Sequence, residues 1–168
     1  MSFIWVNNEI GTINPIPELA ELAHQHSVIF HTDATQALGK IKIELQKTAI
    51  DLLSFSAHKI YGPKGVGALY RRKSVGLQPF FLGGGQEKGL RSGTVNVPGV
   101  VGLAEACKLL KEMMAEEIPR FHGLQKILWK TILEHWPKAQ LNGAPLHEDF
   151  RQQLRTPNNL SITFPEFP

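Results

Sequence analysis

Cysteine is almost missing from this chain. Its 168 residues include one, Cys107, which excludes an intrachain disulfide and fits a reducing compartment. Long apolar runs are missing too. No stretch approaches the ~20 apolar residues of a membrane-spanning helix, so no membrane partner is expected. There is no strong excess of charge: 18 Lys and Arg face 15 Asp and Glu, a net +3. The longest basic run is Arg71-Arg72-Lys73, too little for a nucleic-acid footprint. The opening "MSFIWVNNEI" has neither the basic start nor the cleavage site of a signal peptide, and a cytoplasmic protein is expected. Repeats and low-complexity tracts are absent. So are three common motifs. No GK[ST] completes a P-loop, "GPKGVG" (62–67) lacks the dinucleotide-binding spacing, and no G-x-S-x-G elbow appears. His24 and His26 lie two apart near a predicted helix end and point in different directions. A surface helix end explains them better than a metal site, and no metal is expected.

What is present suits a folded α/β protein. The chain is long enough for a sizeable core, and 42% of it is hydrophobic. "SFIWV", "SVIFHTD", "DLLSFS", "VGALYRR" and "LQPFFLGGG" read as strands. "PELAELAHQH" reads as a helix opened by Pro15 and Pro17. Long helical patterns lie between about 97 and 136. Leu103, Ala106, Cys107, Leu110 and Met113/Met114 form one stripe; Ile127, Leu128, Ile132 and Leu133 form another. Pro119 is expected to mark a boundary or kink. "ALGKIKIELQKTAI" reads as a linker and "NGAPLHEDFRQQLRTPN" as a polar connector. "NNLSITFPEFP" reads as a last strand, with Leu160, Ile162 and Phe164 alternating toward one face. A strand at each end of the chain suggests a piece of something longer. Strands alternating with helices predict a largely parallel sheet covered by helices.

In such sheets ligands bind beyond the carboxyl ends of the strands. Three strand ends carry unusual chemistry: Asn7-Asn8-Glu9, His31-Thr32-Asp33-Ala34-Thr35-Gln36, and Ser56-Ala57-His58-Lys59. Singly, each has an ordinary reading. An Asp after a strand is most often a cap or turn former, and a lone Lys is usually solvated. Together they are more specific. A lysine amine can attack a carbonyl to form a Schiff base. A pyridine-type cofactor then needs an acidic partner on its ring nitrogen, and Asp suits that role. Ser56 and His58 are donors for a phosphate. The glycine-rich "LGGGQEKG" (82–89) and "RSGTVNVPG" (91–99) permit close backbone approach to a ligand or a neighbouring chain, although a plain loop accounts for them equally on pattern alone.

"VNNEIG", "HTDATQ", "SFSAHKIYGPKG", "GGGQEKGLRSGT" and "TPNNLSITF" resemble the NifS/IscS-type cysteine desulfurases, within the class-V aminotransferase group of pyridoxal-phosphate enzymes. The resemblance runs from about residue 3 to 165. It implies an α/β fold: part of a fold-type I large domain, mostly parallel sheet with flanking helices, followed by the start of the small C-terminal domain. Residues 1–113 would belong to the first and 114–168 to the second. It also implies roles. Lys59 is the lysine that bonds pyridoxal 5'-phosphate and shuttles the substrate's α-proton. Asp33 keeps the pyridine nitrogen protonated. Gln36 donates to the phenolic oxygen. Ser56 and His58 serve the phosphate, and Asn8 lies near the cofactor and the substrate carboxylate. Thr94 reaches the phosphate of the partner subunit's cofactor, which implies a homodimer with a shared site.

The implied activity converts L-cysteine to L-alanine and passes sulfur, through a persulfide, to an Fe–S cluster scaffold or another sulfur-acceptor protein. In the family pattern the persulfide cysteine and the substrate-carboxylate arginine lie later than this chain's last strand. The phosphate-binding turn and the stacking histidine lie earlier than its first. Cys107 sits in "EACKLLKEM" on a helical stripe and reads as a packing cysteine. The other expectations are a selenocysteine lyase or other class-V aminotransferase on the same scaffold, and a truncated, non-catalytic chain that acts only by binding.

Overall fold

The computed structural model describes every residue except Gln153, Glu166 and Pro168, and every side chain but those and that of Phe150. The expected last strand and the polar connector therefore fall partly outside the described residues. Strands β1 (Ser2–Ile4), β2 (His31–Asp33), β3 (Leu52–Ser56) and β4 (Gly67–Arg71) form one sheet in the order β1-β2-β3-β4. The first two pairings are parallel and the third antiparallel. Parallel neighbours need a crossover, and helix α1 (Ile16–Gln25) supplies it between β1 and β2.

Pro17 lies in the first turn of α1, where its missing N–H has no intrahelical partner to lose. Ile16, Ala20 and Ala23 recur at helical spacing and are the buried face of α1. They pack with Trp5, Val6, Phe30, Ala34, Ile50 and Leu53 into the main core. The alanines bring the helix close to the sheet, and burying Ile16 contributes about 1.5–3 kcal/mol.

Three elements differ from expectation. "LQPFFLGGG" forms no strand, and Phe80 and Leu82 are 90% and 85% exposed. Pro79 cannot donate to a ladder, and three consecutive glycines weaken extended pairing. Pro119 does not break its helix: α2 (Val97–His135) runs through it as one 39-residue element. The proline removes one interior hydrogen bond, while Asn96 caps the start by accepting the Gly99 N–H at 3.1 Å. The second stripe is only partly used. Ile132 and Leu133 are half-buried, whereas Ile127 and Leu128 are exposed. A 39-residue helix is roughly 58 Å long, and five-residue strands span only ~17 Å. The far half of α2 therefore extends past the sheet.

After α2, β5 (Gln140–Leu141) pairs antiparallel with β6 (Ile162–Thr163). The expected polar connector between them folds back onto the N-terminal turn. Arg155 is fully buried, and it donates to the carbonyls of Ile10, Asn142 and Ala144.

Candidate active site

The site is built on the 3-10 turn Ala57–Lys59 at the carboxyl end of β3. In a 3-10 turn, residues three apart eclipse. Ala57 and Ile60 are three apart, both buried, and pack on Leu103 of α2. His58 and Lys59, between these anchors, are forced outward and are exposed. The chain then reverses: the N–H groups of Ile60 and Gly62 both donate to the Ala57 carbonyl at 3.0 Å. Tyr61 takes a left-handed φ of 65°, a strained state for a non-glycine residue. Helix α2 comes unusually close here. A Cβ added at Gly102 would lie 2.5 Å from Pro63 Cγ, so only glycine permits that approach.

Between this turn, the 36–40 turn and α2 lies a cleft of about 1050 Å³, at the upper end of ordinary ligand pockets. Gln36, His58 and Lys59 line it, together with Lys40, Tyr61 and Asn158. On the α2 side the lining is largely apolar, from Ala106, Leu109, Leu110 and Met113.

The structure thus brings three of the sequence-selected residues into one cleft. The others stand outside its lining. Asp33 ends β2, in register with Ile4 on one side and Ser54 on the other. Its backbone is clamped because Trp5 N–H donates to the Asp33 carbonyl at 2.8 Å and Ala34 N–H donates to the Ser54 carbonyl at 2.9 Å. Its carboxylate Oδ1 accepts the Thr35 N–H at 2.8 Å, which starts the turn that carries Gln36. Ser56 ends β3 opposite Gly67. Asn8 is exposed at the tip of a turn closed by its neighbour: Asn7 Oδ1 accepts the N–H groups of Glu9 and Ile10, both at 3.0 Å. Thr94 is exposed on the segment leading into α2.

Two titrating side chains, Lys40 after β2 and His31 at its start, depart from their ordinary behaviour. Burial pushes the Lys40 pKa down, and the positive charge of Lys59 adds to it. His31 is held between Ser2 Oγ at 2.7 Å and Ser54 Oγ at 3.1 Å. Burial lowers its pKa, partly opposed by the charge of Asp33. Cys107 is half-buried beside the Ala57–Ile60–Leu103 cluster, and burial raises its thiol pKa. A thiol so placed is a weak nucleophile.

Sequence reasoning did not select Lys40 or Asn158. Lys40 had a signal, its spacing of four residues from Gln36. Asn158 lies in the quoted "TPNNLSITF" segment, but nothing local ties it to the cleft, which it reaches from the far end of the chain.

The profile of the Aminotransferase class-V family matches residues 1–159. The chain is 49% identical to the cysteine desulfurase IscS of Ehrlichia chaffeensis, covering 98% of itself and 39% of that protein. It is 46% identical to a mitosomal cysteine desulfurase of Trachipleistophora hominis, covering 98% and 37%. A solved NifS-like protein superposes with a TM-score of 0.89 at 40% identity, over 98% of this chain and 43% of that one. The chain spans about two fifths of the length of the curated relatives it matches. With a matching profile over nearly its whole length and a shared α/β fold, this chain belongs to the aminotransferase class-V family.

Proposed function

We propose that the chain carries the lysine-bearing part of the active site of a pyridoxal-phosphate-dependent cysteine desulfurase, which converts L-cysteine to L-alanine and hands the sulfur to an acceptor. The observation that carries this reading is the convergence of Lys59, His58 and Gln36 on one cleft at the ends of two parallel strands. Family membership and the similarity to cysteine desulfurases support it.

The donor set fits the cofactor: an amine, a carboxylate, an amide, an imidazole and hydroxyls, beside a cleft with an apolar wall. Lys59 would hold the cofactor covalently, then take the substrate's α-proton on its Nζ and return it. Asp33, whose Oδ1 is already engaged by Thr35 N–H, would keep a proton on the ring nitrogen through its carboxylate. Gln36 would donate to the phenolic oxygen. Ser56 and His58 would donate to the phosphate, and Asn8 would sit near the substrate carboxylate. Thr94 would serve the cofactor of a second copy, which makes the working unit a homodimer. When bound, pyridoxal phosphate supplies an electron sink for the substrate's α-carbon. Residues 1–113 would form part of the cofactor domain and 114–168 the start of a second. Their junction falls inside α2, which would then bridge the two. An Fe–S scaffold or other sulfur acceptor is the proposed partner, and the cytoplasm the proposed compartment. Among the described residues no helix is long and apolar enough to cross a membrane.

One observation favours a second reading, in which this chain by itself binds the cofactor without completing sulfur transfer: Cys107, its sole thiol, is half-buried with a raised pKa.

Borohydride trapping of the chain with pyridoxal phosphate, followed by peptide mapping, tests the proposal. The pyridoxyl group is expected on Lys59 and is expected to be lost in Lys59→Ala. Labelling that survives that substitution, or that falls elsewhere in the wild-type chain, refutes the assignment.

A further inference from the structure

One polar contact inside the cleft joins two lining residues of the same turn. Lys40 Nζ donates to Gln36 Oε1 at 3.0 Å. An ammonium group has donors and no acceptor, whereas a carboxamide has one acceptor face and one donor face. At hydrogen-bond distance from Lys40, only the oxygen of Gln36 can point at the lysine. The NH2 group must then face the other way.

We propose that Lys40 is a positioning residue that fixes the amide orientation of Gln36, so that Gln36 presents Nε2 as a donor toward the ligand in the cleft. The proposal deepens the cofactor reading above and rests on it for the identity of the acceptor, a phenolic oxygen that needs a donor. Without the lysine, a 180° rotation of the amide would turn its oxygen toward that acceptor at little cost. One hydrogen bond would then become a repulsion between two oxygens.

The surroundings hold the lysine in place. Residues 34–41 wind into a compact turn: the N–H groups of Ala37 and Leu38 donate to the Ala34 carbonyl, and those of Lys40 and Ile41 donate to the Ala37 carbonyl. That winding brings positions 36 and 40 together. Helix α2 presses on the same turn. Gly39 has a φ of +76°, and a Cβ there would lie 2.4 Å from Leu110 Cδ1. Lys40 itself is half-buried in the cleft wall that also bears Lys59. Burial and the charge of Lys59 together lower its pKa, in keeping with two amines sharing one space.

A thermodynamic cycle tests the inference. Pyridoxal-phosphate affinity and the position of the visible absorption band are measured for the wild-type chain, Lys40→Ala, Gln36→Ala and the double variant, with circular dichroism as a check on folding. Lys40→Ala is expected to weaken binding roughly tenfold and to shift the band. Both effects should vanish in the Gln36→Ala background, because a residue acting through Gln36 has nothing left to act on. Lys40→Arg, which retains a donor-only cation, should restore the wild-type band. An unshifted band in Lys40→Ala, or an equal shift in both backgrounds, overturns the proposal.

A second measurement needs no cofactor. In the free chain, nitrogen-15 relaxation of the Gln36 side-chain NH2 should report an ordered amide that loosens in Lys40→Ala. An amide equally mobile in both refutes the positioning role. A wild-type chain in which no pyridoxyl group is trapped on Lys59 refutes the cofactor reading instead. The two failures are thereby kept apart.

Discussion

Arg155 offers the sharpest test of how this chain holds its site together. It lies in the C-terminal connector, yet it is fully buried. Its Nε donates to the Ala144 carbonyl at 2.8 Å, and its Nη1 donates to the Ile10 carbonyl at 2.6 Å and to Asn159 Oδ1 at 2.9 Å. Its Nη2 donates to the Asn142 carbonyl. The same region pins the turn that carries Asn8: Thr156 N–H donates to the Gly11 carbonyl at 2.9 Å, and Asn159 Nδ2 donates to the Glu9 carbonyl at 2.9 Å. Arg155→Ala would strand three backbone carbonyls, each costing about 1–3 kcal/mol when left buried without a donor. It would also leave a cavity. Relief from burying the charge offsets part of this. The expected net loss is about 3–5 kcal/mol, near the top of the range for single substitutions. Arg155→Lys keeps the charge but not the planar fork, and should fall between the two. Urea denaturation reads the effect as a lowered midpoint at unchanged slope. A loss for Arg155→Ala below about 1 kcal/mol, or equal losses for the two variants, would show that the buried guanidinium does not clamp the turn.

Two more outcomes follow from individual titrating groups. The Arg151 side chain and backbone N–H hold the Asp149 carboxyl at a pKa of about 2, below its usual value of 3.8. A depressed carboxylate stabilises the fold fully above its unfolded pKa, and that contribution disappears as pH falls from about 4 toward about 2. Carbon-13 carboxyl titration should give the low midpoint in the wild-type chain and a higher one in Arg151→Ala; equal midpoints refute the pairing. Cys107, whose thiol pKa burial raises, should react with a disulfide reagent at neutral pH about tenfold more slowly in the native chain than in urea. Equal rates would mean that the thiol is not shielded by α2 packing.

Much of the fold was legible residue by residue. Pro15 and Pro17 at the opening of "PELAELAHQH" marked α1, and the apolar run "DLLSFS" marked β3, because helix-start signals and short apolar runs are local properties of the chain. The strand-end rule also directed attention to the three segments that carry Asn8, Asp33 with Gln36, and His58 with Lys59. Where local reading failed, a competing physical term decided. "LQPFFLGGG" had the composition of a strand, but Pro79 lacks a ladder donor and three glycines weaken extended pairing. Pro119 had the mark of a helix end, yet one lost hydrogen bond does not outweigh the rest of α2.

The sequence by itself determined the chemistry available here: a lysine, a carboxylate, an amide and an imidazole following strands, and a single thiol seated on a helical stripe. It also determined the family, through motifs whose order and spacing are local properties. Tertiary structure alone decided the rest. The cleft exists because α2 packs on the buried pair Ala57 and Ile60 and thereby pushes His58 and Lys59 outward. The pairing of Lys40 with Gln36 depends on a turn held under Leu110. The clamp on the Asn8 turn comes from Arg155, which lies 145 residues beyond Ile10 in the chain. Contacts between residues so far apart are set by packing between elements, and local pattern carries no record of it.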